Sequence, residues 1–166
     1  GHHGSVKSVR FQNRNPHVFA SAGRDGHIML WDMRVSNNRN DFNALVKLPV
    51  AVIENAHSSS SSRADLNSVT SVLFSLDDAV LTSSGADGNV KFWDTRATRR
   101  AVHALEVKLP GATRRPHGIT SLALSPSGSR LAACSLDNHI YEYDYCNPTT
   151  EDCRVYAATV SSFYVK

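Results

Sequence analysis

The sequence contains two groups of serine, histidine and aspartate, the three residue types that together can activate a serine hydroxyl for acyl transfer. The set recurs once per repeat, whereas a catalytic triad needs a single open cleft with an oxyanion-binding site. Repetition therefore favours a structural role, and we predict no catalytic residue. The groups are His2 or His3 with Ser21 and Asp25, and His57 with Ser83 and Asp87.

Metal chemistry is not indicated by the histidines and cysteines. The eight histidines are scattered without a His-x-x-x-His pair, and the three cysteines contain no Cys-x-x-Cys pair. We therefore predict no metal site and no cofactor. An odd number of cysteines, Cys134, Cys146 and Cys153, fits free thiols in a reducing compartment, either nucleus or cytoplasm.

A ten-residue stretch that occurs twice organises the chain. Asp25–Arg34 returns 62 residues later as Asp87–Arg96, with the turn, the apolar run, Trp-Asp and the trailing Arg at matching offsets. The Asp-Gly pair predicts a tight hairpin turn, because glycine and aspartate tolerate positive φ. The apolar run after it predicts a strand that ends at Trp-Asp.

Alternating apolar and β-branched residues between turn signals predict four strands in each of three units. In the third unit Tyr143-Asp144 replaces Trp-Asp, and Cys146 replaces the Arg. The units span about 1–55, 56–110 and 116–159, and residues 160–166 begin another. The predicted strands are Ser5–Phe11, Val18–Gly23, Ile28–Trp31, Ala44–Ile53, Val69–Phe74, Ala79–Gly85, Val90–Trp93, Ala101–Leu109, Ile119–Leu124, Leu131–Ser135, Ile140–Tyr143 and Arg154–Thr159.

Composition and charge limit the other function classes. The 166 residues are 41% hydrophobic and 20% charged, which is ordinary for one globular domain, and no apolar run is long enough to span a bilayer. A net charge of +3 does not by itself indicate nucleic-acid binding. Two basic groups in connections are either solvated loop charge or a surface for acidic or phosphate-bearing partners: Arg99 with Arg100, and Arg114 with Arg115.

The repeat resembles that of the WD-repeat β-propeller family. Each unit has four strands, begins with a Gly-His-like pair and ends its third strand at Trp-Asp, or at Tyr-Asp in the third unit, and the period is about 40 to 45 residues. The resemblance implies an all-β fold of three four-stranded blades plus the start of a fourth. Propellers close with roughly 4 to 8 blades, and a chain without an initiator Met is expected to be a segment of a larger propeller of about seven blades.

The same resemblance implies a buried hydrogen-bond chain in each blade, running from an indole N–H through a hydroxyl and an imidazole to the turn carboxylate. In the third unit Ala133 and Tyr143 interrupt this chain, although His117 and Asp137 remain, so we expect this blade to be the least rigid. The expected members are His2, Ser21, Asp25 and Trp31 in the first unit, and His57, Ser83, Asp87 and Trp93 in the second.

Arg34 and Arg96 each lie three residues after the Trp and follow the same prelude of apolar and small residues. This pattern resembles the extended WD motif of substrate receptors of cullin-four RING ubiquitin ligases. The resemblance implies that these arginines, with Asp32 and Asp94, contact the propeller adaptor, the damage-specific DNA-binding protein's large subunit. A planar, permanently charged guanidinium suits such a contact.

Among these receptors the chain is similar to the denticleless family, through its tandem Trp-Asp-x-Arg units, the polar insertion at His57–Ser68, Leu136–Tyr141 and Ser162–Lys166. The resemblance implies a non-catalytic nuclear receptor that presents replication-licensing and cell-cycle proteins, bound on the sliding clamp, for ubiquitination. A general WD scaffold, for histones or another assembly, is the alternative. An enzyme is a third hypothesis, which would require a metal or cofactor in the purified protein.

Overall fold

The computed structural model describes residues 1–35, 47–57, 68–97, 102–108 and 116–157. These residues form twelve strands, and none of them is helical. The strands are β1 (Val6–Phe11), β2 (Val18–Gly23), β3 (Ile28–Asp32), β4 (Ala51–Ile53), β5 (Val69–Phe74), β6 (Val80–Gly85), β7 (Asn89–Asp94), β8 (His103–Glu106), β9 (Ile119–Leu124), β10 (Arg130–Ser135), β11 (His139–Asp144) and β12 (Arg154–Ala157).

Three separate antiparallel sheets are built from consecutive strands, as expected for propeller blades. The first blade is β1-β2-β3-β4, the second is β5-β6-β7-β8 and the third is β9-β10-β11-β12, with hydrogen-bonded neighbours in chain order. The predicted all-β class and the four-stranded units are confirmed. The described residues accordingly contain no helix of the length and apolarity that crossing a bilayer requires.

The turn between the second and third strands of each blade has the same backbone conformation. Gly26 and Gly88 have φ of 80° and 79°, and Asn138 takes their place in the third blade with φ of 66°. Positive φ is readily available to glycine and is tolerated by asparagine. This turn therefore places Trp31, Trp93 and Tyr143 opposite their partners with the same register in all three blades.

The outermost strands of the first two blades are shorter than the sequence predicts. Strand β4 begins at Ala51 and not at Ala44. The Val50 N–H donates to Leu30 O of β3, and the pairing of β4 with β3 does not extend beyond it because Pro49 has no N–H to donate. Strand β8 covers His103–Glu106 and not Ala101–Leu109. Several predicted positions lie outside the described residues: 58–67 of the polar insertion His57–Ser68, the fourth-blade start at 160–166, and positions 44–46, 101, 109 and 158–159.

Adjacent blades pack through their innermost strands, with β1 beside β5 and β5 beside β9. Each interface contains the same serine contact: Ser8 Oγ accepts the Val72 N–H at 3.2 Å, and Ser71 Oγ accepts the Leu122 N–H at 3.3 Å. Apolar side chains fill the rest. One core joins the first two blades and includes Ile28, Val69, Val72 and Leu81, and the other joins the last two and includes Leu73, Val90, Leu131 and Tyr141.

Candidate functional site

The first blade contains a continuous hydrogen-bond chain through its interior. The Trp31 indole N–H donates to Ser21 Oγ at 2.8 Å, and Ser21 Oγ lies 2.7 Å from His2 Nε2. The other ring nitrogen, His2 Nδ1, lies 3.0 and 2.9 Å from the two carboxylate oxygens of Asp25. The structure thus selects His2 over His3 as the ring of this chain, while the His3 backbone N–H donates to Asp25 at 2.8 Å.

The second blade repeats this arrangement with deeper burial. Trp93 Nε1 donates to Ser83 Oγ at 2.9 Å, Ser83 Oγ lies 2.8 Å from His57 Nε2, and His57 Nδ1 lies 2.9 Å from Asp87 Oδ1. The side chains of His57 and Ser83 are fully buried. The serine, enclosed between an indole and an imidazole, has no access to a substrate, so the geometry favours the structural role over a nucleophile.

In this hydrogen-bond network, a neutral imidazole with its proton on Nδ1 gives every polar group a hydrogen-bond partner. Trp93 then donates to Ser83, the Ser83 hydroxyl donates to His57 Nε2, and His57 Nδ1–H donates to Asp87. We assign this tautomer from the hydrogen-bond pattern, since each group finds one partner of the opposite kind. A fully satisfied buried network rigidifies the fold around it.

The turn carboxylates are stabilised in their charged form. Burial by itself raises the pKa of Asp87, but the hydrogen bonds from His57 and Asn89 outweigh it and hold the pKa below its usual value. The pKa of Asp25 is lowered in the same way, with burial opposed by His2 and by the His3 and His27 backbone N–H groups. Both carboxylates are therefore ionised at neutral pH.

Two glycines make room for the histidine rings, and neither was recognised as part of the site from the sequence. A Cβ on Gly85 would lie 2.5 Å from His57 Cγ and 2.6 Å from Asp87 Oδ1, and one on Gly23 would lie 2.8 Å from His2 Nδ1. Ser135 occupies this position in the third blade. The sequence did contain a signal for these glycines. A glycine lies two residues before the turn aspartate only in the two units that also contain the histidine, serine and tryptophan of the network.

The third blade replaces the network with a different pair. The Tyr141 hydroxyl donates to Asp137 Oδ2 at 2.5 Å, and the His139 backbone N–H donates to Asp137 Oδ1 at 3.1 Å. His117, which the third unit retains at the expected position, is exposed, and Tyr141 supplies the donor to Asp137. The buried Tyr143 hydroxyl, at the Trp position, has no hydrogen-bond partner among the described residues.

Arg34 is held by its own blade. Its Nη2 donates to Asp32 Oδ2 at 2.7 Å, and its Nε and backbone N–H donate to Asp32 Oδ1 at 3.0 and 2.9 Å. These bonds from Arg34 lower the pKa of Asp32 to about 2. The guanidinium forms a two-pronged pair with the carboxylate, yet the side chain remains 58% exposed.

Arg96 has the same backbone contact but a different side-chain environment. Its backbone N–H donates to Asp94 Oδ1 at 2.8 Å, whereas no carboxylate pairs with its guanidinium within the part of the chain that the structure describes. Both arginines follow the third strand of adjacent blades, so they lie at the same end of the sheets. The two predicted Asp and Arg pairs thus occupy equivalent positions on adjacent blades, with both arginines exposed.

The remaining predicted features are a basic surface and an absence of metal ligands. Arg99, Arg100, Arg114 and Arg115 lie outside the described residues, so their predicted partner surface stays a prediction. Across the described ranges, no group of three His, Cys, Asp or Glu side chains is placed to hold a metal ion. Cys134, Cys146 and Cys153 are free thiols.

The chain is similar along its whole length to proteins named Cdt2 and Denticleless. It is 36% identical to the cell division cycle protein cdt2 of Schizosaccharomyces pombe, over 99% of this chain and 34% of that protein. Denticleless protein homologs of Danio rerio and Homo sapiens are 34% and 30% identical over all of this chain, and 28% and 25% of their own lengths are covered. The chain thus spans about a third or less of these relatives.

The repeat units also match a known family directly. A family model described as "WD domain, G-beta repeat" matches residues 1–32, 56–94 and 109–144. These ranges contain the first three strands of every blade and both complete hydrogen-bond networks. They cover more than half of the sequence, and the chain therefore belongs to the WD-domain, G-beta repeat family.

Proposed function

We propose that this chain is the adaptor-docking part of a substrate receptor of a cullin-four RING ubiquitin ligase. The observation that carries the proposal is the equivalent, exposed placement of Arg34 and Arg96 at one end of two adjacent blades. Each arginine is two residues beyond an Asp that caps its backbone N–H, at 2.9 and 2.8 Å. A repeated cation on one face fits a partner surface that presents acidic or carbonyl oxygens.

The hydrogen-bond networks support this role by holding the arginine positions. Trp31 and Trp93 each lie three residues before the arginine and are fixed by Ser21 and Ser83. A preorganised surface loses little side-chain and loop entropy on binding, so more of the contact energy contributes to affinity. The buried networks thus contribute to docking through rigidity and not through chemistry.

The names of the relatives, Cdt2 and Denticleless, fit the receptor proposal. On this proposal the intact protein acts in the nucleus and presents replication-licensing and cell-cycle proteins, bound on the sliding clamp, to the ligase. Its contribution is positional: linking the substrate to the adaptor raises the local concentration of substrate at the ubiquitin-loaded enzyme. No side chain of this chain takes part in the transfer of ubiquitin.

Co-purification with the adaptor tests the proposal. The intact protein and its Arg34→Ala, Arg96→Ala and double variants are compared, with Arg154→Ala as the control because Arg154 is an exposed arginine on the outermost strand of the third blade. We expect reduced adaptor recovery from each single variant, the lowest recovery from the double variant, and no change in the control. Undiminished recovery from all three test variants would favour the general WD scaffold instead.

A further inference from the structure

A groove of about 500 Å³ lies between the second and third blades, at the end of the sheets where Arg96 is exposed. Its walls come from β7 and β8 of the second blade and from the segment after β11 of the third. Phe92, His103 and Tyr145 contribute aromatic rings, Val102 lies at its edge, and Asp94 and Arg96 are its charged groups. The groove therefore combines an apolar floor with a cation.

The aromatic floor is fixed by packing and by one hydrogen bond. The Phe92 ring centroid lies 5.7 Å from that of His103 and 5.7 Å from that of Tyr145, with tilted planes in both pairs. The Tyr145 hydroxyl lies 2.8 Å from Thr82 Oγ1 of the second blade, so the ring bridges the two blades. Tilted aromatic pairs at this separation are favourable, and the floor is preorganised.

Among the residues that the structure describes, no aromatic pair equivalent to Phe92 and Tyr145 lies between the first and second blades. Thr95 occupies in the second blade the position that Tyr145 occupies in the third, two residues after the Trp or Tyr. Its hydroxyl donates to the backbone oxygens of Asp78 and Ala79, each at 3.1 Å. Leu30 stands in the first blade where Phe92 stands in the second. Within the described residues, the aromatic floor is therefore specific to the second interface.

The charge at the groove also differs from its counterpart. Arg34 is engaged by both oxygens of Asp32, whereas Asp94 receives only the backbone N–H of Arg96 among the described contacts. The guanidinium of Arg96 remains available to an external carboxylate. Val102 is 74% exposed beside it, which leaves an apolar side chain in water until a partner covers it.

We infer that this groove binds a protein segment whose apolar side chain packs on Phe92 and Tyr145 while a neighbouring carboxylate pairs with Arg96. The inference rests on the proposed function, since it assigns that segment to the adaptor. The charge of Arg96 in the groove and the equivalent exposed position of Arg34 on the adjacent blade favour a protein over a small ligand. Central apolar anchors beside a planar cation are the contacts that carry most binding energy at protein interfaces.

Three variants of the intact protein test the groove through the dissociation constant for the purified adaptor. Cys146→Trp fills the groove from an exposed position, Val102→Asp repels the expected carboxylate, and Arg96→Ala removes the cation. We expect each variant to bind about tenfold more weakly. Arg96→Ala should also weaken the dependence of affinity on NaCl concentration. Leu136→Asp, exposed at the other end of the third blade, is the control and should bind as the unmodified protein does.

The outcomes separate the groove from the proposed function. If Cys146→Trp and Val102→Asp bind normally while Arg34→Ala and Arg96→Ala bind weakly, the groove inference is wrong and the receptor proposal stands. If the unmodified protein does not bind the adaptor, both are wrong. Thermal melting identifies a variant that fails to fold, and the remaining groove variant then decides the result.

Discussion

The Asp78 carboxylate of the second blade accepts hydrogen bonds from the backbone and side-chain nitrogens of Asn13 in the first, at 2.8 and 3.0 Å. The backbone N–H of Arg14 donates to its other oxygen at 2.8 Å. At the next interface Gly128 occupies the position of Asp78, and a Cβ there would lie 2.7 Å from Leu76 Cδ1. The first interface therefore contains a polar clamp, formed by Asp78 with Asn13 and Arg14, whereas the second has an apolar contact at the same place.

The polar clamp predicts that Asp78→Gly lowers the free energy of unfolding. Asp78 has φ of 62°, so glycine relieves backbone strain, yet the two Asn13 donors and the Arg14 N–H lose a charged acceptor. We expect the free energy of unfolding to fall by about 2 kcal/mol, measured by urea denaturation. Asp78→Asn, which keeps the side-chain shape, should lose less. An unchanged midpoint for Asp78→Gly would contradict a contribution of the hydrogen bonds that exceeds the relieved strain.

Close packing against the histidine ring predicts that Gly85→Ala is strongly destabilising. The added methyl would lie 2.5 Å from the His57 ring, which is fully buried and cannot move aside. We expect a loss of about 3 kcal/mol in the free energy of unfolding. Ser135→Ala in the third blade, where no histidine approaches, is the matched control and should cost less than about 1 kcal/mol. Equal effects at both positions would contradict the ring contact as the cause.

The unpartnered hydroxyl of Tyr143 predicts that Tyr143→Phe does not destabilise the protein. Removing a buried hydroxyl that lacks a partner is neutral or raises the free energy of unfolding by about 1 kcal/mol. Tyr141→Phe is the comparison, because it removes a 2.5 Å bond to the Asp137 carboxylate and should cost about 1.5 kcal/mol. Thermal melting of both variants checks the difference, and a lower melting temperature for Tyr143→Phe would refute the prediction.

The lowered pKa of Asp87 predicts acid sensitivity with a defined sign. Its stabilising effect is present above the ordinary Asp pKa of about 3.9, because the carboxylate is then charged in both states but paired with His57 only in the folded one. As the pH falls toward the lowered folded pKa, the unfolded state binds the proton first and the stabilisation is lost. The free energy of unfolding between pH 5 and pH 2 should fall more steeply for the unmodified protein than for Asp87→Asn. Parallel curves would exclude this linkage.

The different pairing of the two arginines predicts unequal effects on adaptor binding. Arg34 has to leave or share its Asp32 partner to contact another protein, whereas Arg96 has no such competitor among the described residues. Exposed pairs of this kind contribute about 1 kcal/mol or less, so Arg96→Ala should weaken binding about threefold to fivefold more than Arg34→Ala. Titration of the intact variants with the adaptor measures this ratio, and a reversed order would contradict the assignment.

Local sequence signals determined the strands, the turns and the repetition. Asp25-Gly26 and Asp87-Gly88 specify their own hairpins, because positive φ at glycine depends on the turn residues alone. The Trp-Asp-x-Arg repeat likewise placed Arg34 and Arg96 at equivalent strand ends. The outer strands were predicted less well, since the length of β4 depends on how far the Leu30 edge can be paired before Pro49 removes a donor.

Contacts between residues far apart in the chain were decided only by the tertiary structure. Which histidine joins Ser21 and the need for Gly85 beside His57 both depend on the approach of side chains across strands. The groove beside Arg96 exists because Tyr145 of one blade meets the face of another. Sequence periodicity specifies which face a residue occupies, but distances between atoms of different elements are fixed to a few tenths of an ångström only when the two elements pack.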